Sequence, residues 1–291
     1  MLFSIIIPTY NREKLIGFAI NSVIEQEFTD WELIIIDDGS TDSTKEVIEP
    51  YLKDERVKYI FQKNAERSTA RNNGILKSKG QYICFLDSDD TFLNNHLLTF
   101  HEFIKNTENI GFIYSLKKGD KFISRKNKFE QVFLSDIHSQ QVCIKRNFFD
   151  KDLFDPKINI GEDRELWMRI ILNTDIKCTL TPTVVIIDHD DRSIHLKHSA
   201  PVFKNRTLIN QLSKSYKNNL SKKVIRLKKS HAEFSIFKHF IYTDKKLKAL
   251  KYLIRSIVKD PFNSWNKHKF IILLTLFKIY PKRGISEYIK K

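Results

Sequence analysis

Short apolar runs recur through the first part of the chain: FSIII (3–7), LIII (33–36), VKYIF (57–61) and YICFL (82–86). Segments of helical character separate them at 12–27, 43–53 and 68–78. Strands and helices alternating at this interval predict βαβ units and an α/β fold, a Rossmann-like, mostly parallel sheet flanked by helices. The runs are continuously apolar rather than alternating, as strands covered on both faces are. GFIYSL (111–116) and TVVIID (183–188) predict further strands, and EDRELWMRIILN (162–173) predicts a helix. From about residue 201 the pattern is helical to the end, a C-terminal helical appendage, so the chain divides into 1–200 and 201–291. Within 247–257, Leu247, Leu250, Ile254 and Ile257 form an apolar face, with Lys248, Lys251, Arg255 and Lys259 as a basic stripe beside it.

Ligands of parallel sheets bind at the carboxyl ends of the strands. Here PTYN (8–11) follows the first run, DDGSTD (37–42) the second and DSDD (87–90) the fourth, so three polar clusters are expected on one rim. In the last, an apolar strand drives straight into Asp87, Asp89 and Asp90. Like charges so close repel, so either water screens them or something positive sits among them. On extended chain, residues i and i+2 point the same way, which lets Asp87 and Asp89 converge. Their hard oxygens suit Mg²⁺ or Mn²⁺. The plainer reading is a solvated turn into a helix near 94–105, with Asp90 or Thr91 as its cap.

In DDGSTD, Gly39 permits a tight turn and Ser40 or Asp42 can cap the next helix, while Asp37 and Asp38 can accept hydrogen bonds from the N–H groups of a ligand. Pro8 ends the first ladder, and Tyr10 can lie against a flat ring or simply pack. ARNNGI (70–75) brings the fixed fork of Arg71 to the same rim. In GEDRELW (161–167), Gly161 gives the chain a flexible approach, and Glu162 and Asp163 fall in the first turn of a helix. The helix dipole favours carboxylates there in any protein, but one that faces the rim also has the chemistry of a general base.

Charge changes the picture of the C-terminal part. Of 50 Lys and Arg and 35 Asp and Glu, 23 and 4 fall at or beyond residue 201, a balance of +19, leaving 27 and 31 before it, a balance of −4. The basicity belongs to the helical region alone. A nucleic-acid-binding protein is disfavoured by the acidic N-terminal part and by aromatics spread through apparent cores. Three cysteines stand far apart at 84, 143 and 178, giving no metal pair and no disulfide framework. Neither end carries a secretory signal, and apolar stretches such as FIILLTLF (270–277) fall short of the roughly 20 residues of a spanning helix, so a cytoplasmic protein is expected.

In this order and spacing, FSIIIPTYN, LIIIDDGSTD, ARNNG, YICFLDSDD and GEDRELW resemble the family 2 inverting glycosyltransferases of GT-A fold, over roughly residues 3–170. The resemblance implies transfer of a hexosyl or N-acetylhexosaminyl group from a nucleotide-sugar donor, usually a UDP-sugar, to a glycan or lipid-linked glycan acceptor in surface polysaccharide or lipopolysaccharide synthesis. It implies that Pro8, Thr9, Tyr10 and Arg12 surround base and ribose, that Asp37 or Asp38 takes the uracil imide N–H (Asp38 preferred), and that Asn64 and Arg71 contact base or phosphates. DSD matches the family's DxD motif, with Asp87 and Ser88 at the ribose or sugar and Asp89 on a divalent Mn²⁺ or Mg²⁺ ion. Asp163 matches the general base, and His189 a late metal-binding histidine, chosen over His195. Where the family often has a glycine two residues after the asparagine, this chain has Glu66.

Three expectations complete the reading. The basic helices suggest peripheral attachment to an anionic membrane surface, against the alternative of a helical cap or subunit contact. FISRKNKFEQVF (122–133) suggests a flexible basic loop over the acceptor side. The rival functions are a nucleotidyltransferase, opposed by the lack of a Gly-rich loop after the first strand, and an inactive nucleotide-sugar-binding scaffold of the same fold.

Overall fold

A computed structural model describes residues 1–107, 110–187 and 200–261, with Lys269 and Ile272. The chain forms two compact units, Met1–His189 and Asp190–Lys291. The first unit runs β1 (Phe3–Thr9), α1 (Ile16–Ile24), β2 (Trp31–Asp37), α2 (Thr44–Ile48), β3 (Val57–Phe61), α3 (Glu66–Lys77), β4 (Tyr82–Phe85), β5 (Asp90–Phe92), α4 (His96–Lys105), β6 (Phe112–Lys117), α5 (Lys128–Leu134), β7 (Val142–Lys145), α6 (Glu162–Ile170) and β8 (Ile176–Ile186). The strands form one sheet in the order β3-β2-β1-β4-β7-β6-β8-β5. β3, β2, β1 and β4 are mutually parallel, and antiparallel β7 joins that half to β6. The order reverses between β1 and β4, where an α/β sheet opens a crevice at its carboxyl rim.

The alternation of side chains explains the unbroken apolar runs. Ile5, Ile7, Leu33 and Ile35 pack with Ile16, Ile20 and Val23 of α1 on one face. Ile34 and Ile36 point to the other face and pack on Ala70 of α3. That second packing is backbone-close at Gly74, where an added Cβ would stand 2.4 Å from Ile6 Cγ2.

Three expectations are corrected. The acidic cluster does not lead directly into a helix: Asp87 to Asp90 form a turn between β4 and β5, closed by Asp90 N–H donating to Asp87 O at 3.1 Å. Asp90 then pairs opposite Ile186 of β8, and α4 starts only at His96, after Asn95. Second, the basic segment 122–133 is not all loop. Its latter half is α5, whose N-cap Asn127 accepts from Glu130 N–H, and Phe129, Val132 and Phe133 bury one face at i, i+3, i+4 spacing. Third, VCIK (142–145) is a strand too short to stand out by pattern.

The second unit holds α7 (Ala200–Ser215), α8 (Lys222–Tyr242) and α9 (Lys246–Lys259), with α8 capped by Ser221 Oγ accepting from Val224 N–H. Its core joins Phe234, Ile236, Phe237 and Phe240 to Ala249, Leu253 and Ile272. α9 buries only part of the face expected of it. Ala249, Leu253 and Ser256 turn inward and Ile257 packs beside them, while Leu250 is half-buried and Leu247 is 86% and Ile254 46% exposed. Small residues decide the choice: Ser230 Oγ donates to Ser256 O at 2.7 Å and Ser256 Oγ to Ser230 O at 2.9 Å, an approach that larger side chains would prevent. None of the described helices is long and apolar enough to cross a membrane.

Candidate functional site

The loops after β1 and β2 are stitched together. Asn11, at φ 51°, donates its N–H to Ser40 Oγ at 2.9 Å and accepts from Thr41 N–H at 2.8 Å. Arg12 N–H donates to Thr44 Oγ1, Glu13 N–H to Asp42 Oδ2, and Asp38 N–H to Thr9 O. Ser40 is therefore a tie to the β1 loop, while Asp42 receives Thr44 N–H at the start of α2. Tyr10 stands 47% exposed on the rim beside Pro8, and the buried Thr9 Oγ1 has no partner among the described residues.

The adjacent aspartates differ in what they have left to offer. Asp37, 1% exposed, accepts Ser40 N–H on Oδ1 and Tyr59 O–H on Oδ2, both at 2.8 Å. Burial, then the bond to Asp37, raises the Tyr59 phenol well above its usual range, so it stays a donor. Asp38 accepts Gln62 Nε2 and Ala65 N–H, both on Oδ1, which leaves Oδ2 without a partner among the described residues. Gln62 is itself fixed by Asn73, which donates to its Oε1. Gly39, at φ +86°, turns tightly under the exposed Asn64, whose backbone nitrogen would lie 2.9 Å from an added Cβ.

Glu66 answers the departure noted in the sequence. Its φ is +73°, the left-handed conformation that glycine adopts freely, so a strained glutamate stands at this position.

At the turn after β4, carboxylate oxygens of Asp87, Asp89 and Asp90 lie within 4.8 Å of one another. Asp90 is fully buried and accepts Gln140 Nε2 and Ile187 N–H, which anchors the turn. Ser88 is buried between its neighbours. Asp89 Oδ2 is 3.9 Å from Arg12 Nη2. Asp87 Oδ1 accepts Arg71 Nη2 at 2.7 Å. Burial opposes the charge on Asp87, but Arg71, with Arg67 and His138 beyond, outweighs it and holds the carboxyl below its ordinary value. This is a set of hard oxygens of the kind a divalent cation takes.

Arg71 is 3% exposed, and its Nη1 donates to Glu162 Oε1 at 3.1 Å. Arg67 Nε pairs with the same carboxylate at 2.8 Å, and its Nη2 donates to Asn159 O at 2.5 Å. The turn after β4 and the first turn of α6 are thus held to one guanidinium. Gly161, at φ +73°, is the left-handed residue from which α6 departs, and Asp163 Oδ1 accepts Arg164 N–H at 2.6 Å. Burial, and then Asp163 beside it, raise the Glu162 carboxyl above its usual range despite the two arginines.

Sequence reading missed Tyr59, Gln62, Arg67, Glu162 as a partner of Arg71, and His138. His138, ahead of the short 3₁₀ turn Ser139–Gln141, is depressed by burial, while the charges of Asp163, Asp136 and Asp87 pull it up. No periodicity or motif marks it. His189 lies outside the described residues.

Comparison with known proteins adds the following. Residues 4–165, more than half of the chain, match the model of Glycosyl transferase family 2. Uncharacterized glycosyltransferases of three Rickettsia species are each 36% identical, and the chain spans less than a third of their length. The GalNAc(5)-diNAcBac-PP-undecaprenol beta-1,3-glucosyltransferase of Campylobacter jejuni is 31% identical over 185 residues, covering 57% of this chain and 59% of that protein. Among solved structures, S. aureus TarS 1–349 in complex with UDP-GlcNAc is similar at TM-score 0.59 and 18% identity, over 97% of this chain and 82% of that one. The mannosyltransferase PcManGT of Pyrobaculum calidifontis, in complex with GDP-Man and Mn²⁺, is similar at TM-score 0.61 and 14% identity, over 99% and 84%. At these identities the two structures speak for the fold.

Proposed function

The chain belongs to glycosyl transferase family 2, and from that premise we propose that it moves a sugar from a nucleotide-sugar donor, a UDP-sugar first, to a hydroxyl of a glycan or lipid-linked glycan acceptor in surface-polysaccharide synthesis, with inversion at the anomeric carbon. The observation that carries the reading is one rim on which Asp38 keeps an oxygen without a partner among the described residues, the Asp87 and Asp89 carboxylates converge, and Asp163 is held nearby through Arg71 and Glu162. The C. jejuni relative, by its name, acts on a PP-undecaprenol-linked glycan, and TarS was solved with UDP-GlcNAc; both favour this donor and acceptor class.

In this reading Asp38 Oδ2 receives the imide N–H of the base, and Tyr10 and Pro8 flank the ring. Asn64 lies over the turn at Gly39, and Thr9 and Arg12 complete the surround of base and ribose. Both oxygens of Asp37 and both terminal nitrogens of Arg71 are engaged within the protein, so in this reading they shape the site, with Arg71 Nε left without a partner among the described residues. Asp87 and Ser88 meet ribose or sugar. Mn²⁺ or Mg²⁺ held by Asp89 would supply a positive charge against the departing diphosphate. Asp163 takes the proton of the acceptor hydroxyl as that oxygen forms its bond to the anomeric carbon. The bond from that carbon to the diphosphate breaks, and its electron pair leaves with the nucleotide. One displacement turns an α-linked donor into a β-linkage.

The basic helical region belongs to the same proposal: it would bring a cytoplasmic enzyme to the anionic inner face of a membrane.

The test is thermal unfolding with UDP, GDP, CDP and ADP, each with and without Mn²⁺, followed by transfer assays. A ligand at 100 times its Kd adds about 2.7 kcal/mol. A UDP shift that needs the metal is expected, and Asp163→Asn should keep that shift while losing transfer. No shift with any nucleotide would turn the chain into a scaffold of this fold.

A further inference from the structure

We propose that the cavity between α7, α8 and α9 binds the phosphate of an anionic amphiphile. The inference rests on the membrane reading of the helical region and is independent of sugar transfer. The cavity has a volume of about 820 Å³, in the size range of small-molecule sites. Arg206, Lys214, Lys229, Arg255 and Lys259 line it against one carboxylate, Glu233. That carboxylate is buried, 3.7 Å from Arg206 Nη1, and its Oε2 makes no hydrogen bond among the described residues. Four positive charges in excess within one cavity repel each other, and an anion among them removes that repulsion.

Two of the cations stand beside aromatic rings. The Arg206 guanidinium lies 5.2 Å from the Phe203 ring and 6.0 Å from that of Tyr252, and Arg255 lies 5.4 Å from Tyr252. Aromatic rings within cation–π range restrict the fork, so less freedom is lost when it binds phosphate.

The lining also says what the phosphate is attached to. Ile254 and Val258, one helical turn apart on α9, border the cavity and are 46% and 70% exposed. Leu247, 86% exposed, stands two turns before Ile254 on the same helix. An apolar ridge beside a basic cavity serves no purpose for free phosphate. It suits a phosphate carried on hydrocarbon, with the chain lying along the ridge at a membrane surface.

The full-length protein is co-sedimented with vesicles of phosphatidylcholine alone and of phosphatidylcholine mixed with phosphatidylglycerol. Binding to the mixed vesicles is expected. Arg206→Gln with Arg255→Gln should weaken it about tenfold more than Lys222→Gln with Lys223→Gln, a pair outside the cavity, about 1.4 kcal/mol of extra loss. Equal losses in the two pairs overturn the cavity site, since bulk charge then explains all binding. Ile254→Ser with Val258→Ser should weaken vesicle binding, and no effect there overturns the amphiphile. Displacement from mixed vesicles by inorganic phosphate as effective as that by phosphatidylglycerol vesicles overturns it too. A wild-type chain indifferent to phosphatidylglycerol overturns the membrane reading itself. Retention of the unfolding temperature and of the UDP shift in each variant shows that it is folded.

Discussion

Asp87 and Glu162 share one buried guanidinium, accepting Arg71 Nη2 at 2.7 Å and Nη1 at 3.1 Å respectively. Two segments far apart in sequence, the turn after β4 and the start of α6, are registered by a side chain from α3. The planar fork of arginine can face two carboxylates at once, which a lysine cannot do with the same geometry.

Arg71→Met therefore leaves Glu162 buried with only Arg67 as a partner and Asp87 without its principal one. Breaking a buried pair on one side costs about 3 kcal/mol or more. Urea unfolding should show that loss, and Arg71→Lys should recover part of the stability but not the transfer rate, because Asp87 and Asp163 lose their common register.

Glu66 sits at φ +73° and is exposed. A non-glycine residue there costs roughly 1–2 kcal/mol, and glycine returns somewhat less than 1 kcal/mol of that as unfolded-state entropy. Glu66→Gly is expected to be neutral or to stabilise by up to about 1 kcal/mol, whereas Glu66→Val destabilises. Midpoints of chemical unfolding for the two variants decide it.

His96 is fully buried, with Nδ1 2.7 Å from Thr183 Oγ1 and its ring stacked on Phe92. Burial pushes its pKa down to about 3, against the bond to Thr183. The unfolded chain takes up the proton near pH 6.5 and the folded one does not, so stability is full above pH 6.5 and is lost as the pH falls towards 3. The loss is roughly 4 kcal/mol over that window. His96→Gln, which keeps a polar group for Thr183, should flatten the acid limb of an unfolding-versus-pH series.

Lys269 shows the opposite limb. It is buried, donates to Ser230 Oγ at 2.8 Å, and burial lowers its pKa to about 8, with Asp260 opposing. Below pH 8 both states carry the proton and the folded state bears the full desolvation cost, roughly 3 kcal/mol. Between pH 8 and 10.5 the unfolded chain holds more protons, so stability rises with pH. Lys269→Met should stabilise the helical unit at pH 7 and remove that rise, read by denaturant titration at a series of pH values.

Pattern alone determined the parallel half of the sheet, because β1, β2 and β4 are covered on both faces and their apolar runs have to be unbroken. It also determined that PTYN, DDGSTD and the acidic turn end on one rim, since parallel strands put all their carboxyl ends on one side. What it left undecided depended on partners distant in sequence. Asp37 and Asp38 read alike until Tyr59 and Gln62 arrive beside them, from β3 and the loop after it. Arg71 shows no protein partner in the sequence until Glu162 meets it across 91 residues. α9 offered two faces, and the Ser230–Ser256 contact with α8 chose the one with small residues, turning Leu247 and Ile254 outward. A side chain's type fixes what it can bond, but the tertiary structure decides which of those bonds are already made, and so which groups remain for a ligand.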